Sequence, residues 1–560
     1  MTYLRLLGAV VFAASCASGF VTACTQADPA VSAPSVDAGS EAAETAVETI
    51  DDASAASIAF SLCPGAYTGA CASIPMPLDW SAPEGAKIGI LIDKIASTAK
   101  PKRQLWLLQG GPGASAASLG ALGVAIADQV EDTEVLTIEH RGVGSSNRLA
   151  CADFEAAHPS VGDAGATDKA PCFDEVKSKH GDDLRFYTAT NAARDLAHAI
   201  ELLRRPGVPV FVLGASYGTY WAQRFLQVAP NAAAGVVLDS IVPAQGQSLS
   251  LFDTQGDKVA IKLAEHCKAN ASCTGALGPD PWARLQAANQ KLSAGHCPES
   301  GLTPDERVRF TQFLQMRPFM GYAFALWHRF DRCTAEDAAA IRTFLSKNPL
   351  RDPNERLGSD AVYANIGFSE LWESPPPSDE VMTERFDSAV FPAGVRGLQP
   401  IYPAWPRYAA DEHVGTYPST SLPMLMLAGG LDAQTPLESQ ELVKAHYTAP
   451  NQTFVTLPLA SHIVLGQSPF LDGAPGGAPR DCGFELLNAF LSNPTAPLDV
   501  GCATKLAPIE FSRPSDETAF VMGTTDLWLG VPVVQTSPPA GFPSIGPGGF
   551  PLPFVGTNMR

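Results

Sequence analysis

Short apolar runs alternate with amphipathic helical stretches along most of the chain. This alternation predicts an α/β fold on a mostly parallel sheet with helices on both faces. Candidate strands are Ile88 to Ile92, Leu105 to Leu108, Glu134 to Ile138, Val208 to Leu213, Gly235 to Leu238, Met424 to Leu427 and Thr453 to Leu457. A helix is predicted over Ala192 to Arg204, because Leu196, Ala199, Ile200 and Leu203 fall at i, i+3, i+4 and i+7 and share one face. The strands stop after Asp239 and resume near Leu422. Between them, Thr303-Pro304-Asp305-Glu306 has the form of a capping box with Pro at the first helical position, predicting a long helix through Phe330. Thr334 with Asp337 predicts the start of another. A helical insertion of this size is expected to form a cap over the edge where the loops gather.

These signals divide the chain into a first core part at 58–246, a helical cap at 247–405, and a second core part with a carboxyl-terminal subdomain at 406–511. A Pro/Gly-rich tail is expected at 512–560, irregular and exposed beyond Ser537, as is Pro375-Pro376-Pro377. Residues 1–23 have the form of an export signal: Arg5 supplies the positive start and Leu6 to Ala14 the apolar run. Val21-Thr22-Ala23-Cys24 resembles a bacterial lipobox, so Cys24 is expected to be lipidated, the alternative being cleavage after Ala27 and release of a soluble protein. Residues 24–57, poor in large apolar side chains, are expected to be a disordered tether.

Charge and cysteine narrow the picture. The 560 residues carry 38 Lys and Arg against 58 Asp and Glu, a net charge of −20, which argues against a nucleic-acid partner. Beyond Cys16 and Cys24, ten Cys remain as sequence neighbours: Cys63 with Cys71, Cys151 with Cys172, Cys267 with Cys273, Cys297 with Cys333, and Cys482 with Cys502. An even set behind an export signal implies disulfides, with pairing by proximity the simplest arrangement. No CxxC pair is present and His is sparse near these positions, so no metal is expected, and no cofactor.

Gly214-Ala215-Ser216-Tyr217-Gly218 is a GxSxG sequence between a predicted strand and a predicted helix from Tyr217 to Val228. On such a turn a serine hydroxyl is lifted clear of the sheet, facing a helix amino terminus that stabilises a developing oxyanion. A serine nucleophile needs a histidine base and a carboxylate to orient it, in the order Ser, acid, His along the chain. Of the ten His, only His446 and His462 follow the late strand at Met424. His446 ends a helical stretch, where a cation has an ordinary role. His462 follows a strand directly and is the candidate base. Asp432, after Gly429-Gly430-Leu431, is the candidate acid, with Asp239 its rival. Gly110-Gly111-Pro112-Gly113 follows a strand and lets the main chain approach a ligand, so the N–H groups of Gly111 and Tyr217 are assigned to an oxyanion hole. A phosphate loop is excluded because no G-K-[ST] follows.

Together these motifs resemble the serine exopeptidases of the α/β-hydrolase fold related to prolyl aminopeptidase, and among them the secreted tripeptidyl aminopeptidases of bacteria. The resemblance covers about Cys63 to Ala507. It rests on the GGPG run, on Glu139-His140-Arg141-Gly142-Val143-Gly144-Ser145-Ser146 where the family has D-Q-R-G-x-G-x-S, on the GxSxG turn, on Gly429 to Asp432, and on the segment from Cys482 to Cys502. This chain departs from the pattern at Gln109, where the family often has His, at Thr219, where it has a second Gly, and at Ala460-Ser461, where it has glycines. The resemblance implies hydrolysis of peptides from the free amino terminus through an acyl-enzyme. It implies a carboxylate near the cap for the substrate ammonium, for which Glu370 is the candidate and Glu373 the alternative. An esterase or lipase with the same triad, and a surface-anchored binding protein that has lost turnover, are the competing expectations.

Overall fold

The computed structural model describes residues 58–157, 169–347, 355–471 and 480–530, with short pieces between 533 and 551. The export signal, Cys24 and the whole of the tether at 24–57 lie outside the described residues. Nine strands form one sheet in the order β1-β2-β3-β5-β4-β6-β7-β8-β9: β1 Ser61–Leu62, β2 Ala70–Pro77, β3 Lys87–Ala96, β4 Arg103–Leu108, β5 Thr133–Ile138, β6 Val210–Ala215, β7 Gly235–Asp239, β8 Met424–Gly429 and β9 Gln452–Leu457. From β5 through β9 every pairing is parallel, whereas β1, β2 and β3 join antiparallel. All seven expected strands are present, within a few residues at their ends.

Parallel strands covered on both faces should be apolar throughout, and β6, β7 and β8 are buried at every position. Their alternate side chains enter two different cores. Val210, Val212, Val236, Leu238, Met424 and Met426 pack with the helices Ala189–Leu203 and Tyr217–Val228. Phe211, Leu213, Val237, Leu425 and Leu427 pack on the other side with the helices Gly120–Gln129 and Cys482–Ser492. The expected helical face of Leu196, Ala199, Ile200 and Leu203 is wholly buried, each large side chain contributing about 1.5–3 kcal/mol.

The strand β2 was not expected, because Pro75 and Pro77 lie within it. It is tolerated there because β2 pairs with β3 along its whole length but with β1 only at Ala70 and Cys71. The missing N–H groups therefore fall on a side with no partner strand. The long helix expected from Pro304 to Phe330 is corrected to a broken one. Thr303 Oγ1 does accept the Glu306 N–H at 3.3 Å, but the helix Arg307–Gln312 gives way to a 3₁₀ turn at Phe313–Gln315, and regular helix resumes only at Met320–Arg332. Pro318 is the cause: it has no N–H to give the Leu314 carbonyl and its ring would clash there in a continuous helix, so the chain leaves helical backbone at Met316, φ −130°, before the short 3₁₀ turn Arg317–Phe319. Thr334 and Asp337 do form a reciprocal cap, each side chain accepting the other's N–H at 3.1 and 3.2 Å, and open the helix Ala335–Lys347.

Among the described residues between β7 and β8, every regular element is helical. This insert has its own core around Phe324, Trp327 and Phe391. The boundary drawn at 511 is corrected here, because residues between 515 and 528 contribute to that core. The helix Ser515–Met522 buries Val521 and Met522, and Leu527 and Trp528 close over the insert. The buried Arg329 donates to the carbonyls of Leu527 at 3.0 Å and Asp526 at 2.7 Å, which fixes the connection. The sequence suggested a tail because its Pro and Gly lie mostly beyond this helix.

The five disulfides join the sequence neighbours as expected, from Cys63–Cys71 to Cys482–Cys502. Among the described residues no helix is long and apolar enough to cross a membrane.

One buried ion pair ties the antiparallel edge to the helical layer. The Arg141 guanidinium is fully buried, contacts both Asp195 carboxylate oxygens at 2.7 and 2.8 Å, and donates to the carbonyls of Pro77, Leu78 and Phe186. Truncating it leaves the buried Asp195 carboxylate with the Trp80 Nε1–H, at 2.9 Å, as its remaining side-chain donor and no cation to balance its charge. Arg141→Ala is expected to destabilise the fold by about 3–5 kcal/mol, read as a fall in the denaturation midpoint; an unchanged midpoint would refute this role.

Candidate active site

The carboxyl ends of β4, β6, β7, β8 and β9 each carry a residue singled out above: Asp239 closes β7 itself, and Gly111, Ser216, Asp432 and His462 lie just beyond their strands. Parallel register brings these ends to one rim, pairing Leu108 with Gly214, Ala215 with Asp239, Asp239 with Leu427, and Gly429 with Leu457.

Ser216 sits at φ 55°, ψ −126°, in the left-handed half of backbone space that a side chain occupies only under constraint. The constraint is lack of room. A Cβ at Gly214 would lie 2.2 Å from the Gly218 carbonyl oxygen, and one at Gly218 would lie 2.2 Å from that of Leu108. The turn is held by the Ser216 N–H, which donates to the Asp239 carbonyl at 2.9 Å. Thr219 adds a second hold: its hydroxyl donates to the Ser216 carbonyl at 2.6 Å and accepts the Val242 N–H at 2.8 Å. The departure at Thr219 thus adds a fastening that a glycine would lack.

The glycine loop lies directly against this turn, a Cβ at Gly110 falling 2.8 Å from that of Ser216. Gln109, the other departure, holds the loop from below: its amide oxygen accepts the Gly110 N–H at 2.7 Å and its nitrogen donates to Ser118. Beyond the loop, the buried Glu139 accepts from the Tyr67 hydroxyl at 2.5 Å, the Ala116 N–H at 3.1 Å and the Ser115 hydroxyl. Gly111, Ser216 and Tyr217 line one narrow cleft with Phe252, Leu371 and Gln434. Tyr217 is the first residue of its helix, where an N–H has no partner within the helix. The cleft shares Gly111, Phe252 and Gln434 with a cavity of about 430 Å³ that continues past Arg148 and Tyr363.

The structure brings Asp432 and His462 together and separates their rival. His462 Nδ1 lies 2.9 and 3.0 Å from the two Asp432 oxygens, with both side chains fully buried. Asp432 also accepts the N–H groups of Gln434 and Thr435 at 2.9 and 2.8 Å and the Thr435 hydroxyl at 2.6 Å. Burial alone would push its carboxyl up, but the His462 imidazole and these hydrogen bonds outweigh burial and hold it below the ordinary carboxylate range. The other ring nitrogen, Nε2, is buried without a hydrogen-bond partner. Asp239 does not reach the ring. It accepts the N–H groups of Val464 at 2.8 Å and Leu465 at 3.0 Å, while Ser240 accepts that of Ile463 at 2.7 Å, so this pair fastens the backbone of the histidine loop. His446 stacks on Tyr417 at a helix end.

Glu370 and Glu373 each have partners within the protein. Glu370 is fully buried and already satisfied by Arg224 at 2.8 Å and by the hydroxyls of Tyr220 and Tyr408. Glu373 is bound by both Arg385 nitrogens and by Ser250. Both carboxylates are therefore ion-paired within the protein, each with an arginine the sequence did not single out. Sequence reading also missed Thr435, Gln440 and Gln467 around the Asp432–His462 pair; the polar residues just after Asp432 were the available signal for the first two, whereas Gln467 follows the apolar run Ile463 to Leu465 and gave none.

A buried, carboxylate-bound imidazole and a strained serine thus stand at the carboxyl edge of one parallel sheet, and the sequence comparison agrees with this architecture. A family described as alpha/beta hydrolase fold matches residues 105–469, and the chain belongs to it. The chain is 26% identical over 287 residues to the tripeptidyl aminopeptidases of Streptomyces coelicolor and Streptomyces lividans, a match covering 46% of this chain and 51% of each relative. It thus spans about half the length of the curated relatives it matches. Among solved structures, the proline iminopeptidase of Mycobacterium smegmatis is 16% identical, covering 76% of this chain and 99% of its own, with a TM-score of 0.35. An esterase of Exiguobacterium antarcticum is 13% identical, covering 73% and 97%, with a TM-score of 0.30.

The buried carboxyls give a stability prediction. Burial pushes Asp239 up to about 7, against the N–H groups of Leu465 and Val464, and pushes Glu139 up to about 7 despite Ser115 and Tyr67. In the unfolded chain such groups release their proton near pH 4. The folded protein therefore binds more protons between pH 4 and 7, and the stability each group contributes is complete below pH 4 and lost as pH climbs through 7. The urea midpoint of the wild type should fall from pH 5 to pH 8. Asp239→Asn should show a smaller fall, and an identical slope would refute the assignment.

Proposed function

We propose that the chain is an exported serine peptidase that hydrolyses peptides from the free amino terminus, of the tripeptidyl or prolyl/aminoacyl aminopeptidase type. The observation that carries this reading is the Asp432–His462 contact, which leaves Nε2 free on the rim where Ser216 is lifted from the sheet. In the proposed reaction Ser216 Oγ attacks the scissile carbonyl as its proton passes to His462 Nε2, and Asp432 holds the ring in the required tautomer and stabilises the imidazolium. The N–H groups of Gly111 and Tyr217 receive the oxyanion. Collapse of the tetrahedral intermediate breaks the C–N bond as His462 returns the proton to the leaving amine, and water hydrolyses the acyl-enzyme by the same route. The activity named for the Streptomyces relatives supports the peptidase choice over an esterase. The five disulfides support an oxidising compartment outside the cytoplasm, reached through the signal at 1–23 and held by lipid at Cys24.

A fluorophosphonate probe should label the wild type and spare Ser216→Ala. Asp432→Asn should lower kcat by about a thousandfold to ten-thousandfold with little change in KM. Offered defined peptides with free and acetylated amino termini beside short acyl esters, the enzyme should cleave the free peptides, releasing amino-terminal fragments identifiable by mass. Turnover confined to esters would sink the peptidase reading, and an unlabelled folded protein the hydrolase reading.

A further inference from the structure

The break in the insert helix exposes main-chain groups that a continuous helix would have used. The Gln315 carbonyl would accept the N–H three residues on in a 3₁₀ turn, but that residue is Pro318. The N–H four residues on, at Phe319, is given to Met316 instead, at 2.9 Å. The orphaned carbonyl is taken up by the histidine loop. Ser461 Oγ lies 2.8 Å from the Gln315 oxygen and 2.7 Å from Gln467 Oε1, and can give its one proton to either.

Gln467 completes the connection. Its Oε1 accepts the Arg317 N–H at 2.7 Å, while its Nε2 donates to the Gln315 carbonyl at 3.3 Å and to the carbonyl of His462 itself. With the oxygen end on an N–H and the nitrogen end on two carbonyls, the orientation of the amide is determined. Arg317 adds a second strut. Its guanidinium donates to the Leu459 carbonyl at 2.9 Å, three residues before His462, and to those of Ala507 and, at 3.1 Å, Pro508. Burial pushes this guanidinium down to about 10, against the weaker pull of Glu510 and Asp481. Ser461, His462 and Gln467 are all buried. Gln315 also lines the large cavity that opens into the Ser216 cleft, so one residue touches both the substrate space and the histidine loop.

We propose that Gln467 is a positioning residue for His462, and that through Gln315 and Arg317 it couples the insert to the placement of the imidazole. Asp432 holds the ring and Asp239 the backbone after it, while Gln467 holds the carbonyl of His462 from the insert side. A displacement of about 1 Å at a reacting group can cost roughly a hundredfold in rate, so this third hold bears on turnover rather than on stability alone. The inference rests on the reading of Ser216 and His462 as nucleophile and base.

Gln467→Glu is the discriminating variant, since it preserves size and both acceptor contacts but removes the donor to His462 and Gln315. Wild type and variant would be compared for melting temperature, for the rate of Ser216 labelling by a fluorophosphonate, and for kcat and KM on whichever substrate the wild type turns over. The expected result is a folded variant whose labelling rate and kcat both fall about tenfold or more, with KM within about twofold. Ser461→Ala, which removes one bridging hydroxyl, should show the same pattern at about threefold and carries the test should Gln467→Glu fail to fold. A lower melting temperature with kcat and labelling unchanged in the folded protein would overturn the proposal alone. Absence of labelling in the wild type would overturn the Ser216 reading and this inference with it.

Discussion

A carboxylate sealed away from water is costly unless its lone pairs are met, and Asp432 meets that demand with a ring nitrogen, two backbone N–H groups and a hydroxyl. The arrangement of the rim follows from this. Gln434 and Thr435 must turn back to reach the carboxylate, which shapes the loop after β8, and the loop after β9 must bring His462 over a sequence separation of 30 residues. The imidazole so held has one nitrogen engaged and one free. The strained turn at Ser216 depends on the same packing, since the main chain of Asp239 that receives its N–H belongs to the residue whose side chain pins Val464 and Leu465.

Two aspartates at adjacent strand ends thus do different work. Asp432 addresses the side chain of the histidine and Asp239 the backbone beyond it. Nothing in the sequence separates them cleanly, because both follow a buried apolar strand and precede a loop on the same rim. Their difference lies in which partner is within reach. The parallel strands were legible because burial on both faces demands uninterrupted apolar runs. The Ser216 turn was legible because two backbone contacts admit no Cβ at Gly214 or Gly218.

Other features were hidden for equally physical reasons. The carboxylates of Glu370 and Glu373 look free in a chain with a net charge of −20, yet their partners Arg224 and Arg385 lie 146 and 12 residues away and meet them only in the folded state. The break at Met316 was concealed by good helix signals on both sides, and Pro318 outweighed them. Gln467 gave no signal at all, since an amide declares its function only when its donor and acceptor ends have both found partners.

The closure of the insert by Leu527 and Trp528 has a consequence for how the chain acquires its form. Arg329 finds its carbonyl partner at Leu527, a separation of 198 residues. When the ribosome has finished the insert, Arg329 has Asp337 beside it at 3.2 Å, but the carbonyls of Asp526 and Leu527 are not yet made and the aromatic cluster around Trp327 is open on one side. The insert is therefore sealed only after the second part of the core has been made, and the nascent polypeptide carries an incomplete apolar surface until residues 515–528 emerge.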